Sequence, residues 1–169
     1  IGEGQGLHKI LPALAMKMEK SLHFKVIGDG GRKEALVQAL AEEGVTNVEL
    51  LTPLNRDRLI EAYQAANVLF LHLNDYDAFK KVLPSKLFEY AAIGKPIWAG
   101  IAGYPEEFVR LEISNSAVFS PCDANQATQV FESLEMNLTP RAEFIEKYAR
   151  RKIAKGMAQE IIETAEKVN

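Results

Sequence analysis

A cation and a carboxylate lie close together near the start of a predicted helix, within residues 84–97. The first amides of a helix lack intrahelical partners and, with the positive end of the helix dipole, attract phosphate groups. Lys86 adds a mobile cation in this first turn, and Glu89 shares its helix face. Because helical side chains lean towards the amino terminus, Glu89 can reach back to a ligand bound there. The arrangement suits a nucleoside diphosphate whose ribose hydroxyls need an acceptor.

Three polar motifs also fit simpler interpretations. Lys86 and Glu89 can form a surface ion pair worth only about 0.3 kcal/mol, which we favour where no further context is available. The turn at residues 28–31 resembles a dinucleotide-binding fingerprint, but Lys33 occupies the place of its third glycine. Asp75 and Asp77 resemble a metal-binding Asp-x-Asp pair, yet acidic residues also simply stabilise turns.

The composition indicates a globular domain from a reducing compartment. The 169 residues are 47% hydrophobic and 25% charged, with a net charge of -3. The chain therefore lacks the excess of basic residues that nucleic-acid binding needs. Cys122 is the single cysteine, so no internal disulfide can form, and His8, His23 and His72 are not spaced as metal ligands. We therefore expect no metal, no cofactor and no nucleic-acid partner.

Neither a membrane span nor a signal peptide is indicated by the sequence. No apolar run is long enough to cross a bilayer, and the first residues have neither a basic nor a hydrophobic region. We therefore expect a cytoplasmic location. The chain starts at Ile1 without a methionine, in what we interpret as a loop between a strand and a helix, and we expect it to be part of a longer protein.

Short apolar runs alternate with segments of helical periodicity along the chain. The runs lie at residues 23–27, 48–51, 68–71, 96–99 and 117–119. This alternation predicts an α/β fold with a doubly wound parallel sheet. Ligands of such sheets bind beyond the carboxyl ends of the strands. The loops expected to meet there are 2–6, 28–32, 52–56 and 73–85.

An apolar stripe at nearly helical spacing continues from Pro140 to the end of the chain. Its members are Ile145, Ala149, Ile153, Met157, Ile161 and Val168. We predict a C-terminal helix over residues 140–169, long or kinked, with Gly156 interrupting the stripe. The basic residues 150–152 could touch an anionic membrane, although such a cluster is more often a solvated face. Without a linker or a repeat, one domain accounts for residues 1–169.

Residues 84–97 resemble the donor-binding segment of retaining GT-B glycosyltransferases of the glycosyl transferases group 1 family. The resemblance is to the bacterial branch that builds surface polysaccharides, whose pattern is close to Pro-Ser-Lys-x-x-Glu-Tyr-x-Ala-x-Gly-Lys-Pro. Residues 1–7, 26–30 and 63–68 resemble other landmarks of that branch, in the same order. The resemblance spans nearly the whole chain. It implies a Rossmann-like domain that forms one half of the two-domain GT-B architecture.

The resemblance also implies roles for individual residues. Glu89 should accept hydrogen bonds from the donor ribose, like the second glutamate of the family's paired-glutamate motif, whereas Lys81 stands in place of the first. Contacts to the sugar are then expected from the backbone of residues 83–86, and neutralisation of the diphosphate from Lys86. The expected donor-binding residues are Gly4, Gln5, Lys9, Gly28, Asp29, Gly30, Leu54, Pro84, Ser85, Lys86 and Glu89.

The function implied is retaining transfer of a sugar from a nucleotide donor, expected to be UDP-linked, to a polysaccharide or lipid-linked acceptor. The sugar is expected to be of the hexosyl or N-acetylhexosaminyl type. No obvious nucleophile or general base is present, so no catalytic residue is assigned. The chain alone is expected to be inactive, because an N-terminal acceptor domain would have to close over the donor. A UDP-sugar epimerase and a non-enzymatic nucleotide-binding domain remain alternatives.

Overall fold

The computed structural model describes residues 1–168, and the side chains of residues 1–165. The strands are β1 Phe24–Ile27, β2 Val48–Leu51, β3 Leu69–His72, β4 Ile97–Gly100 and β5 Ser116–Phe119. The α-helices are α1 Leu7–Lys17, α2 Lys33–Glu42, α3 Arg56–Ala65, α4 Ser85–Ile93, α5 Tyr104–Glu112, α6 Ala124–Phe131, α7 Ala142–Tyr148 and α8 Arg150–Val168. Their alternation confirms the predicted α/β class. No helix within residues 1–168 is long and apolar enough to cross a membrane.

Helices cover both faces of the strands, as a doubly wound fold requires. Trp98 of β4 lies in an apolar cluster with residues of α1, α2 and α6. Its neighbours Ile97 and Ala99 lie in a second cluster with residues of α4, α5 and α7. Because successive residues of a strand point to opposite faces, the two clusters occupy opposite sides of the sheet. β4 is accordingly buried along its whole length.

The parallel strands form two separate ladders within residues 1–168. β1 pairs with β2, and β3, β4 and β5 pair in that order. β1 and β3 face each other without backbone pairing, although the rings of Phe24 and Phe70 contact each other with centroids 6.4 Å apart. The strands of the two ladders thus share a core.

The C-terminal segment departs from the single helix predicted over residues 140–169. Ala149, with φ -59° and ψ 125°, separates α7 from α8, and Gly156 lies within α8 without a break. α7 is held by an aromatic cluster in which the ring centroid of Tyr148 lies 5.5 Å from that of Phe88 and 5.3 Å from that of Phe108. α8 leaves this cluster and exposes most of the apolar stripe. The side chain of Val168, and Asn169 entirely, lie outside the described residues.

A buried arginine joins the C-terminal segment to the sheet and to α4. Arg141 is 6% exposed, and its guanidinium donates to the carbonyls of Ala91 at 3.2 Å, Lys95 at 3.1 Å and Ser114 at 2.7 Å. Burial lowers the pKa of this guanidinium. The bonds replace water for both the cation and the carbonyls, so they offset the cost of burying a charge.

We predict that Arg141→Met lowers the free energy of unfolding by about 3 kcal/mol, because it leaves buried carbonyls without donors. Denaturant unfolding followed by circular dichroism measures the change. Arg150→Met, at an exposed arginine of α8, is the matched control and should stay within about 0.5 kcal/mol of the wild-type protein. Equal stability of the two variants would contradict an anchoring role for Arg141.

Candidate functional site

Residues 1–6 lie at the carboxyl ends of β1 and β3. The amino group of Ile1 donates to the carbonyl of Asp29, and the N–H of Arg32 donates to the carbonyl of Ile1 at 3.1 Å. On the other side, Asn74 N–H donates to the Gly4 carbonyl at 2.8 Å. The structure therefore brings three of the four predicted loops into contact. Leu54 lies on the fourth loop, after β2, and its side chain is exposed.

Asn74 is the second residue of the predicted loop 73–85, and its buried side chain lies at the centre of the contact between this loop and residues 1–6. Its side chain is 1% exposed, and its Nδ2 donates to the carbonyl of Glu3 at 2.9 Å. Its Oδ1 accepts from Lys9 Nζ at 2.9 Å. The ammonium of Lys9 also lies 5.0 Å from the centre of the Tyr76 ring. Lys9, predicted to bind the donor, is thus already engaged by the protein.

Glu3 connects the first loop to two neighbouring loops. Its carboxylate accepts from the hydroxyl of Tyr76 at 2.5 Å and forms an ion pair with Arg32. The Tyr76 hydroxyl and then Arg32 lower the pKa of the Glu3 carboxyl. The carboxylate therefore stays charged and holds Arg32 at the edge of the sheet, where a ligand phosphate would compete with it for the guanidinium.

Three glycines are predicted to bind the donor. Gly4 and Gly30 are packed against other residues, whereas Gly28 is not. At Gly30, with φ +150°, a Cβ would lie 2.5 Å from the carbonyl oxygen of Ile1, so the first loop requires a glycine there. A Cβ on Gly4 would lie 2.9 Å from the ring of Phe79. Gly28, with φ +135°, has no protein atom within 4 Å of that position. The space beside Gly28 is therefore open, whereas that beside Gly4 and Gly30 is occupied by other residues.

His72 holds the loop of residues 1–6 in place through a hydrogen bond to its main chain. It is 3% exposed; its Nδ1 lies 2.6 Å from the Gln5 carbonyl, and its Nε2 accepts from Cys122 N–H at 2.9 Å. These partners require a neutral ring with its proton on Nδ1. Burial lowers the pKa of His72 to about 4. The Gln5 side chain turns back to accept from Gly2 N–H at 2.7 Å. Gln5 is thus fixed through both its main chain and its side chain.

α4 begins at the same edge without a side-chain cap. Pro84 precedes it with φ -72° and ψ 136°, and makes no capping hydrogen bond through its side chain. The N–H groups of Ser85 and Lys86 have no hydrogen-bond partner in residues 1–168. By contrast, α3 is capped by Asn55, whose Oδ1 accepts from Arg58 N–H at 3.0 Å. The first turn of α4 is therefore open to an external acceptor such as a phosphate oxygen.

Lys86 and Glu89 do not pair with each other. Both side chains are exposed, and within the described side chains neither forms a salt bridge or a hydrogen bond. Burial and then Glu89 raise the pKa of Tyr63, so Glu89 lies towards α3. The surface-pair interpretation is not observed.

Three residues at this edge escaped the sequence analysis, namely Arg32, His72 and Asn74. His72 is the last residue of β3 and Asn74 follows two residues later, where ligand-binding loops begin, so their positions could have suggested them. Arg32 lies at the end of the loop between β1 and α2. Their partners in residues 1–6 are distant in sequence, however, and no local pattern predicts such contacts. For the described side chains, no group of three or more histidine, cysteine or acidic residues is placed to hold a metal ion.

Comparisons with known proteins support the fold and the family. The family model described as Glycosyl transferases group 1 matches residues 2–152. The putative colanic acid biosynthesis glycosyl transferase WcaI of Escherichia coli (strain K12) is 31% identical over 94 residues, covering 56% of this chain and 23% of that protein. The crystal structure of AviGT4, a glycosyltransferase involved in avilamycin A biosynthesis, matches 91% of this chain and 50% of its own with a TM-score of 0.61 at 16% identity. The chain thus spans half or less of these relatives, and the structural match confirms the Rossmann-like, GT-B type of fold.

The buried His72 predicts a specific dependence of stability on pH. Its pKa is about 4 in the folded protein, so the unfolded chain binds the proton more readily below about pH 6.5. Stability present above that pH is lost as the pH falls, by about 2 kcal/mol at pH 5. The stability difference between wild type and His72→Gln should shrink by that amount between pH 7 and pH 5.

Denaturant titrations at several pH values measure this difference. If His72→Gln runs parallel to the wild type over the whole range, the ring of His72 is not the group that titrates.

Proposed function

The chain belongs to the glycosyl transferases group 1 family, and on this premise we propose that residues 1–169 form the C-terminal, donor-binding domain of a retaining glycosyltransferase. The observation that carries the proposal is the open first turn of α4 at the carboxyl edge of the sheet, with the exposed side chains of Lys86 and Glu89. Phosphates bind at such helix starts through main-chain N–H groups and the helix dipole.

The charges around the edge favour Lys86 as the residue that contacts the diphosphate. Lys9 is held by Asn74 and Tyr76, and Arg32 by Glu3. Lys86 lacks such a partner, so binding a phosphate requires no existing bond to break. A cation and helix amides beside the departing diphosphate would stabilise its developing charge in the transition state. This electrostatic role makes a metal unnecessary, and we propose metal-free binding of the donor.

The open space at Gly28 and the position of Glu89 support a nucleotide as the ligand. We propose a UDP-linked sugar of the hexosyl or N-acetylhexosaminyl type, transferred to a polysaccharide or lipid-linked acceptor. The acceptor would be bound by an N-terminal domain of the full-length protein, which is why this chain alone is expected to transfer no sugar. The proposed location is the cytoplasm, with the basic residues 150–152 available for peripheral contact with an anionic membrane.

We predict that Lys86→Ala weakens binding of UDP by roughly tenfold and binding of uridine by less than about twofold. The reason is that an ammonium in the first helical turn acts on the diphosphate and not on the nucleoside. Calorimetric titration in excess chelator measures both affinities and tests metal-free binding at the same time. Lys155→Ala, on the exposed surface of α8, is the matched control.

Equal weakening of both ligands by Lys86→Ala would place its ammonium away from the phosphates. Loss of all binding to the wild-type protein in chelator would contradict the metal-free proposal. Failure to bind either ligand, with or without a divalent cation, would remove the case for a donor site on this chain.

Glu89→Ala should reduce the affinity for UDP by about ten- to a hundredfold, because a charge-assisted hydrogen bond contributes roughly 1.5 to 3 kcal/mol. The fold should survive, because Glu89 is exposed while the neighbouring Leu87, Tyr90 and Ala91 are the buried residues of α4. Alanine is also a good helix former. Glu132→Ala, an exposed change at the end of α6, is the control.

The sharper measurement changes the ligand as well as the protein. Wild-type protein should bind UDP better than its 2',3'-dideoxy analogue, whereas Glu89→Ala should scarcely distinguish the two. If the variant keeps the full preference for UDP, another residue reads the ribose.

A further inference from the structure

Glu3 places a carboxylate at the carboxyl edge of the sheet, and contacts within the protein fix the position of that charge. Its Oε1 accepts from the hydroxyl of Tyr76 at 2.5 Å and from Nδ2 of the buried Asn74 at 3.1 Å. The same Nδ2 donates to the main-chain carbonyl of Glu3 at 2.9 Å. Both partners lie in the segment between β3 and α4, which leads into the proposed phosphate site. The carboxylate is therefore held at this edge through one of its oxygens.

Arg32 contacts the other oxygen of Glu3, and the pair carries no net charge. Nε of Arg32 donates to Oε2, and within the described side chains its two Nη groups make no hydrogen bond. Glu3 and Arg32 are 38% and 50% exposed, so both charges lie at the surface of this edge. Lys33, the first residue of α2, lies 3.8 Å from a carboxylate oxygen of Asp29. The two cations at the start of α2 are thus each matched by a carboxylate.

The nucleotides that enter and leave a glycosyl transfer differ in charge. A sugar-linked nucleoside diphosphate carries about two negative charges, because each of its phosphates keeps a single ionised oxygen. The released nucleoside diphosphate carries about three at pH 7, because its terminal phosphate has a second pKa near 6. A fixed negative charge at the edge therefore raises the free energy of the bound product more than that of the bound donor.

On the basis of the proposed function, we propose that Glu3 is a specificity-determining residue of the donor site. Its carboxylate cancels the charge of Arg32 and so weakens binding of the free nucleoside diphosphate more than binding of the sugar-linked donor. The site then exchanges product for donor more readily than a site with an unpaired Arg32 would. Lys86 and the first amides of α4 still attract both ligands, and Glu3 adjusts the balance between them.

Glu3→Gln tests this role directly. The variant loses the charge but keeps a carbonyl oxygen that can accept from Tyr76 and Asn74. Calorimetric titration compares three probes: UDP, UDP methylated on its terminal phosphate, and uridine. The methyl ester has the charge of a sugar-linked donor without requiring a particular sugar. Glu3→Gln should strengthen binding of UDP by roughly tenfold and of the methyl ester by about fourfold, and should leave uridine within about twofold.

Arg32→Met tests the same charge pair from the other side. It leaves the carboxylate of Glu3 without its cation, so it should weaken UDP by roughly tenfold and the methyl ester by about fourfold. A double variant, Glu3→Gln with Arg32→Met, restores the net charge and should bind both ligands within about twofold of the wild type. Glu49→Gln is the matched control, because Glu49 forms an exposed ion pair with Lys25 near the amino ends of β1 and β2.

The inference is overturned if the wild-type protein binds UDP and Glu3→Gln binds it no more tightly, or if UDP and the methyl ester are strengthened equally. A double variant as weak as Arg32→Met would show that Arg32 binds the phosphates directly, which contradicts cancellation by Glu3. If Glu3→Gln does not fold, equal effects of Arg32→Met on UDP and the methyl ester overturn the inference. Absence of UDP binding in both the wild type and Glu3→Gln would instead remove the proposed function together with the inference.

Discussion

The site depends on the need of two buried polar side chains at the end of β3 for hydrogen-bond partners. His72 and Asn74 are nearly inaccessible to water, and a buried polar group without a partner costs about 1 to 3 kcal/mol. Both find partners in the main chain of residues 3–5. Satisfying these groups therefore brings the first loop over the carboxyl end of β3, next to the turn after β1.

That placement determines which charges remain available at the edge. Lys9 and Arg32 are used to hold the loops together, through Asn74 and Glu3 respectively. If Lys9 or Arg32 contacted a ligand, it would have to give up an existing bond within the protein, which reduces the net free energy gained on binding. Lys86 incurs no such loss. Under the proposed function, a ligand would therefore gain most from contacts with the first turn of α4, although Lys9 and Arg32 lie at the same edge of the sheet.

Local patterns in the sequence were sufficient for the alternation of strands and helices and for the start of α4. Apolar runs and helical spacing depend on neighbouring residues, and the structure confirms them. The break at Ala149 was not predictable in this way, and the helix before it packs through Tyr148 against aromatic side chains that are distant in sequence. The roles of His72 and Asn74 were missed for the same reason. Periodicity reports burial, whereas the partner of a buried polar group is set by tertiary contacts.

The two ends of α4 are treated differently by the protein. At its carboxyl end, the guanidinium of Arg141 donates to Ala91 and Lys95, so a cation lies where the helix dipole is negative. At its amino end, the described residues provide neither a cap nor a carboxylate bonded to the first amides. The helix is thus anchored through its negative end and keeps its positive end free. An anion that binds there meets a helix that is already fixed, so little conformational entropy is lost in forming the contact.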